Sequence, residues 1–228
     1  MRQCRAQPFT IMSTADLSSD RARALRLTPV SRETAERLDR FVALLLTWQK
    51  TTQLIAASTV SHLWTRHVAD SLQLIDLAPD ARIWVDMGAG GGFPGLVIAC
   101  ALGTTAGAQV HLVESNARKA AFLRAAAAAT ESPALVHAVR MEKFVESFAG
   151  TPDIVTARAV SPLSSLLREC RPLLQRGATG IYPKGQDVEA ELTEATRYWK
   201  MTADLVPSRT EPKARIVRVR AVEPRASP

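Results

Sequence analysis

The sequence predicts an α/β fold, a mainly parallel Rossmann-like sheet with helices on both faces, preceded by a helical N-terminal extension. Three observations predict it. Beyond Ala81 short β-rich runs alternate with helical stretches, the pattern of a parallel sheet covered on both sides. The first of those runs leads into V-D-M-G-A-G-G-G-F-P-G, Val85 to Gly95, a strand, turn and helix carrying five glycines. Before Ala81 the apolar residues recur at helical rather than alternating spacing.

Residues 1–30 read as a flexible basic extension, with Met12 as an alternative start. From Ser31, S-R-E-T-A-E-R-L-D-R-F-V-A-L-L-L has a capping Ser, early acids and Leu38, Val42 and Leu45 on one face. A second helical stretch, Thr59 to Leu77, ends before Pro79, so 31–80 form a helical element that must bury its apolar face on something. Strands are expected at Ile83–Asp86, Gln109–Glu114, Leu135–Arg140, Ile154–Arg158 and Gly180–Tyr182. Helices are expected at Pro94–Leu102, Asn116–Ala129, Leu163–Leu174 and Val188–Trp199. The run A-R-I-V-R-V-R alternates Arg with Ile and Val, as a half-exposed edge strand does. The sheet domain is thus 81–222, with a tail at 223–228.

The chain of 228 residues is long enough for one sizeable domain with an appendage. Its longest apolar run, near Leu96 to Leu102, falls far short of the roughly 20 residues of a membrane helix. The N-terminus lacks the apolar core of a secretory signal, so a cytoplasmic protein is expected. Cys4, Cys100 and Cys170 are too scattered for a disulfide framework, and the latter two read as core residues. Residues 1–30 hold five Arg against two Asp, residues 205–228 six Lys or Arg against two Glu, and the remainder is balanced at 18 each. Basic ends on a neutral body suit a polyanion, or are two solvated tails. Arg215 and Arg218 are the expected RNA contacts.

The glycine turn has two frames. Gly90-x-Gly92-x-x-Gly95 fits a dinucleotide, with Glu114 as the ribose acid. Gly88-x-Gly90-x-Gly92 after Asp86 fits a methyl donor, S-adenosylmethionine, whose cationic amino-acid end a carboxylate welcomes and whose place a pyrophosphate would fill poorly. Neither Tyr182 nor Tyr198 has a Lys four residues on, so the dehydrogenase pair is missing and the donor frame is favoured, which makes the fold class I SAM-dependent methyltransferase. Glu114 is then the acceptor for both ribose hydroxyls, Met141 packs on adenine and Glu142 accepts from its amino group, or these are solvated acids at element ends.

The acceptor is read from what is missing. No N/D-P-P-Y/F turn serves an exocyclic amine, and no Pro-Cys pair serves a pyrimidine carbon. Guanine N7 carries a lone pair and no proton, so transfer needs alignment more than a base, and no general base is assigned. Arg158 and Lys184 are expected to face the site as positioning cations for the donor carboxylate, guanine O6 or phosphate.

The series W-x-R-H-x-x-D-S-L (Trp64 to Leu72), D-M-G-A-G-G-G-F-P-G-L (Asp86 to Leu96), V-E-S-N-A-R-K-A-A-F-L (Val113 to Leu123), T-A-R-A-V (Thr156 to Val160) and K-G-Q (Lys184 to Gln186) resembles the RsmG (GidB) family over about Phe41 to Val219. That resemblance implies a 16S rRNA guanine-N7 methyltransferase acting on guanine 527 of the 530 loop. The expected partner is 16S rRNA, the small ribosomal subunit or an assembly intermediate, and a monomer is expected. It implies donor contacts at Gly88, Phe93, Met141, Glu142 and Arg158, with Asp86, Gly90 and Glu114 expected from the general fold. His67 and Asp70 match its motif, either locking the N-terminal helices to the sheet or facing substrate. Where family members usually carry K-x-N-L, this chain has Thr51, Thr52, Gln53 and Leu54. The other readings are methylation of a small molecule or protein by the same domain, and a non-catalytic RNA-binding module with a vestigial donor site.

Overall fold

A computed structural model describes residues 14–225; Cys4, Met12 and the last three residues of the expected tail lie outside that span. The described part of the supposedly loose extension is helical, α1 (Thr14–Leu27). Polar contacts hold it where apolar periodicity is weak. Asp20 Oδ2 accepts from the backbone N–H groups of Trp64 (2.8 Å) and Thr65 (3.2 Å), and the Thr65 hydroxyl donates to the other oxygen. Arg21 forks onto Asp39 at 2.6 and 2.7 Å and lies over the Trp64 ring.

Ser31 caps α2 (Arg32–Trp48) by accepting from Thr34 N–H, and Leu38, Phe41, Val42 and Leu45 form its buried face. The second helical stretch is irregular: a 3-10 turn (Ala57–His62), a π turn (Trp64–Ala69), the short α3 (Asp70–Leu72) and a further 3-10 turn (Ile75–Leu77). Such a π turn widens the helix locally and re-aims the side chains it carries.

The sheet has seven strands: β1 (Ile83–Met87), β2 (Gln109–Val113), β3 (Ala134–His137), β4 (Ile154–Thr156), β5 (Thr179–Lys184), β6 (Trp199–Pro207) and β7 (Arg215–Pro224), in the order β3-β2-β1-β4-β5-β7-β6. The first five are parallel, and β7 is antiparallel to both β5 and β6. This overturns the expectation that A-R-I-V-R-V-R lies at the edge. Its exposed stripe is partnered: Arg218 and Arg220 both reach Asp204 on β6, at 2.9 and 2.8 Å. The edge is β6, whose polar Lys200, Thr202 and Asp204 hid its strand character. Glu223 and Pro224, assigned to the tail, end β7 opposite Lys200 and Trp199.

One face of the sheet is covered by α2, α4 (Gly95–Ala101) and α5 (Ala117–Thr130), around Phe41, Ile98, Leu112 and Phe122. The other is covered by α6 (Met141–Ser147), α7 (Leu163–Gln175) and α8 (Val188–Tyr198), around Phe144, Leu166, Tyr182 and Val217. Cys100 and Cys170 are buried in these layers, and burial pushes each thiol up to about 12, as inert core residues.

Candidate active site

The strand order reverses at β1 and β4, so a crevice opens beyond their carboxyl ends. A cleft of ≈ 1390 Å³ lies there, walled by the glycine turn, the ends of β2, β4 and β5, the π turn and the loop between β6 and β7. Gly88 stands at φ +76°, and a Cβ on it would come 2.7 Å from Val160 Cγ2 and 3.1 Å from Met141 Cε. The turn therefore runs flush against the cleft wall, which only glycine permits. At Gly95 a Cβ would meet Leu112 Cδ2 and come 2.6 Å from Asp86 Cβ, so this glycine seats α4 on the sheet.

The two acids of the donor frame part company. Glu114 lines the cleft at the end of β2; its Oε2 accepts from Gly90 N–H (2.9 Å) and its Oε1 from Asn116 N–H (2.7 Å). Asp86, expected to face the cationic end of the donor, does not line the cleft. It is fully buried beneath the turn, where Oδ2 accepts from Gly95 N–H at 2.8 Å and Oδ1 has no hydrogen-bond partner among the described residues. The close approach of α4 at Gly95 shuts it in. Burial raises its carboxyl to about 7 against the opposing pull of the Gly95 N–H and Arg158.

Met141 and Glu142 open α6 and line the cleft beside Gly88. Arg158, just past β4, is held from three sides: Nη2 donates to His67 Nδ1 at 2.6 Å, Nη1 donates to Arg66 O at 3.2 Å, and Nη1 lies 3.4 Å from Asp70 Oδ2. Its guanidinium is 5.3 Å from the centroid of Phe93, whose ring packs between His67 and Phe41 at 4.9 and 5.3 Å. His67 Nε2 meets Thr59 Oγ1 at 2.8 Å, so His67 and Asp70 both lock the N-terminal helices to the sheet and stand at the cleft. Lys184 also lines the cleft, bound to Glu191 (2.8 Å) and to Ser161 O (2.9 Å).

Several lining residues escaped the sequence reading. Val160 packs over Gly88, and Ala159 before it adopts φ +54°, a strained value for a residue with a Cβ. Arg66 and Lys119 line the cleft from inside motifs quoted for other residues, next to His67 and five residues past Glu114. The position of the missing K-x-N-L asparagine lies just before Leu54, whose carbonyl oxygen sits 2.8 Å from where a Gly91 Cβ would be.

A family model described as GidB, rRNA small subunit methyltransferase G, matches residues 34–217. The chain belongs to that family. Among GidB relatives, the ribosomal RNA small subunit methyltransferase G of Bradyrhizobium sp. strain BTAi1 is 55% identical over 217 residues, covering 95% of this chain and 98% of its own. The protein of the same name from Rhodopseudomonas palustris strain BisB18 is 56% identical over 209 residues, covering 92% and 89%. Among solved structures, an SAH-bound Podospora anserina methyltransferase aligns with a TM-score of 0.62 at 10% identity, over 92% of this chain and 98% of its own. A putative O-methyltransferase from Klebsiella pneumoniae aligns at 0.56 and 15% identity, over 90% and 97%. At these identities the two structures establish the fold, a Rossmann-like α/β sheet, as the sequence predicted.

Proposed function

We propose that this chain is an S-adenosylmethionine-dependent methyltransferase that acts on N7 of guanine 527 in the 530 loop of 16S rRNA. The name shared by relatives more than half identical supports the rRNA reading. The observation that carries the donor is the glycine turn lying flush against Val160 and Met141, with Glu114 anchored beside it. A flat cradle next to a carboxylate with lone pairs to spare fits a nucleoside better than a pyrophosphate, which the Glu114 charge would repel.

In this reading Gly88, Gly90, Phe93, Glu114, Met141, Glu142 and Arg158 hold the donor, and Asp86 contributes from below by fixing the start of α4. S-adenosylmethionine, when bound, supplies a methyl group on a positively charged sulfur. The protein's part is alignment and exclusion of water. No base is required, and the histidine at the site is in no position to act as one. His67 accepts from Arg158 on Nδ1 and therefore donates from Nε2 to Thr59, so neither nitrogen is free to take a proton. Lys184 is a positioning cation on the acceptor side, steadied by Glu191.

The cations Arg66, Lys119, Arg140, Lys213 and Arg215 at the cleft supply phosphate contacts for the rRNA. The helical element of 31–80 and the sheet domain, which runs from 81 through Pro224, then act together, one wall of the site from each. The protein works as a monomer in the cytoplasm, where its substrate is. Among the described residues no helix is long and apolar enough to cross a membrane.

The test is incubation with unmethylated small subunits and labelled S-adenosylmethionine, followed by mass spectrometry of the rRNA. One N7-methylguanine at 527 is the expected product. Methylation of an amine or a carbon instead, or turnover without RNA, would sink the reading.

A further inference from the structure

The loop that follows β6 is docked on the helical segment before β1. Ser208 N–H donates to Ala214 O, closing the loop, and Gln73 Oε1 accepts from Arg209 N–H at 2.9 Å. Gln73 Nε2 donates to Ser208 Oγ (3.2 Å), and Arg209 pairs with Asp76 (2.6 Å). Thr210 carries this network on to the site: its hydroxyl accepts from Ser208 Oγ at 3.0 Å and donates to Asp70 Oδ1 at 2.8 Å, while the other oxygen of the same carboxylate faces Arg158 Nη1 at 3.4 Å. Directly beyond Thr210 the loop turns to the mouth of the cleft, which Glu211, Lys213 and Arg215 line.

Arg158 sits on the sheet domain, yet its hydrogen-bond partners His67, Arg66 and Asp70 all precede β1. A guanidinium is a rigid planar fork, so the directions of its acceptors set where its remaining N–H groups and its positive face point. The Asp70 carboxylate is fixed at Oδ1 by two donors, the Thr210 hydroxyl and the Gln73 amide at 2.9 Å; released from the hydroxyl, Oδ1 keeps only the amide and the carboxylate is less tightly fixed in rotation.

We propose that Asp70 and Thr210 are positioning residues for Arg158, so that the loop between β6 and β7 sets the guanidinium at the donor end of the cleft. This inference rests on the methyltransferase reading above. Asp70→Asn tests it directly but also disturbs Gln73, so the decisive variant is Thr210→Val, nearly isosteric at a half-buried position of a largely exposed loop. The protein is titrated with S-adenosylhomocysteine by calorimetry and assayed with unmethylated small subunits and S-adenosylmethionine.

Thr210→Val is expected to weaken donor affinity and raise donor KM about fivefold, with the melting temperature and the KM for small subunits unchanged. Thr210→Ser restores both. In an Arg158→Lys background, Thr210→Val has no further effect, because the fork it acts through is gone. Unchanged donor affinity in Thr210→Val, or an effect that adds in full to that of Arg158→Lys, overturns the inference while the wild type still methylates guanine. A wild type that binds S-adenosylhomocysteine but methylates no guanine overturns the methyltransferase reading, and this inference with it.

Discussion

Arg158 Nη2 donates to His67 Nδ1 at 2.6 Å, which makes His67 a neutral imidazole carrying its proton on Nε2. Burial and then the neighbouring Arg158 and Arg66 charges lower its pKa to about 3, against an ordinary 6.5. A base depressed in the folded state contributes stability that is complete above pH 6.5 and is lost as pH falls from there toward 3. Gln in its place keeps an acceptor for Arg158 and a donor for Thr59 without titrating. Calorimetry between pH 7 and pH 4 is expected to show His67→Gln losing less of its melting temperature than wild type; parallel curves would refute a His67 held neutral in the folded protein.

Gly88→Val places a branched side chain where even a Cβ comes 2.7 Å from Val160, at a backbone φ of +76°. Overpacking and strain of this kind cost about 1–3 kcal/mol. S-adenosylmethionine binding is expected to weaken at least about tenfold in calorimetry, since the side chain fills the donor cradle. Wild-type affinity in a folded Gly88→Val protein would remove the glycine turn from the donor site.

Asp86 titrates with the opposite sign. Its carboxyl is raised to about 7 from an ordinary 3.8, so the stability it contributes is complete below 3.8 and is lost as pH rises toward 7. Asn keeps a carbonyl for Gly95 N–H and never ionises. The melting temperature of Asp86→Asn relative to wild type is expected to climb between pH 5 and pH 8, and a constant difference across that range counts against a buried titrating acid.

Arg215 and Arg218, paired by the sequence as RNA contacts, separate in the structure. Arg215 lines the cleft and, among the described residues, its side chain bonds backbone carbonyls only, whereas Arg218 is committed to Asp204. Filter binding of rRNA over a range of salt should show Arg215→Ala weakening affinity and flattening the salt slope by about one ion, with Arg218→Ala close to wild type. Equal losses from both would mean that the Arg218 pair opens on the RNA.

What the sequence disclosed follows where local chemistry decides structure. The Ser31 cap, the alternation after Ala81 and the glycine turn act within a few residues of themselves, and each was legible. Asp86 was located correctly but aimed wrongly, because its direction depends on how closely α4 packs at Gly95. Strand β6 carries polar residues that only its partner β7 explains, and α1 depends on Asp20 meeting Trp64 and Thr65 across 44 and 45 residues. The grouping of Arg158 with His67 and Asp70 is likewise a long-range event, in which the motifs named the members but not their bonds.

The contact between Asp20 and the π turn bears on how this enzyme can be trimmed. A chain cut back to the family match at residue 34 would retain its sheet and glycine cradle. It would lose the carboxylate that anchors the first N–H groups of the turn carrying His67. Such a fragment would look folded by spectroscopy and be a poor catalyst, its defect arising from the loss of α1, a helix that does not itself line the cleft.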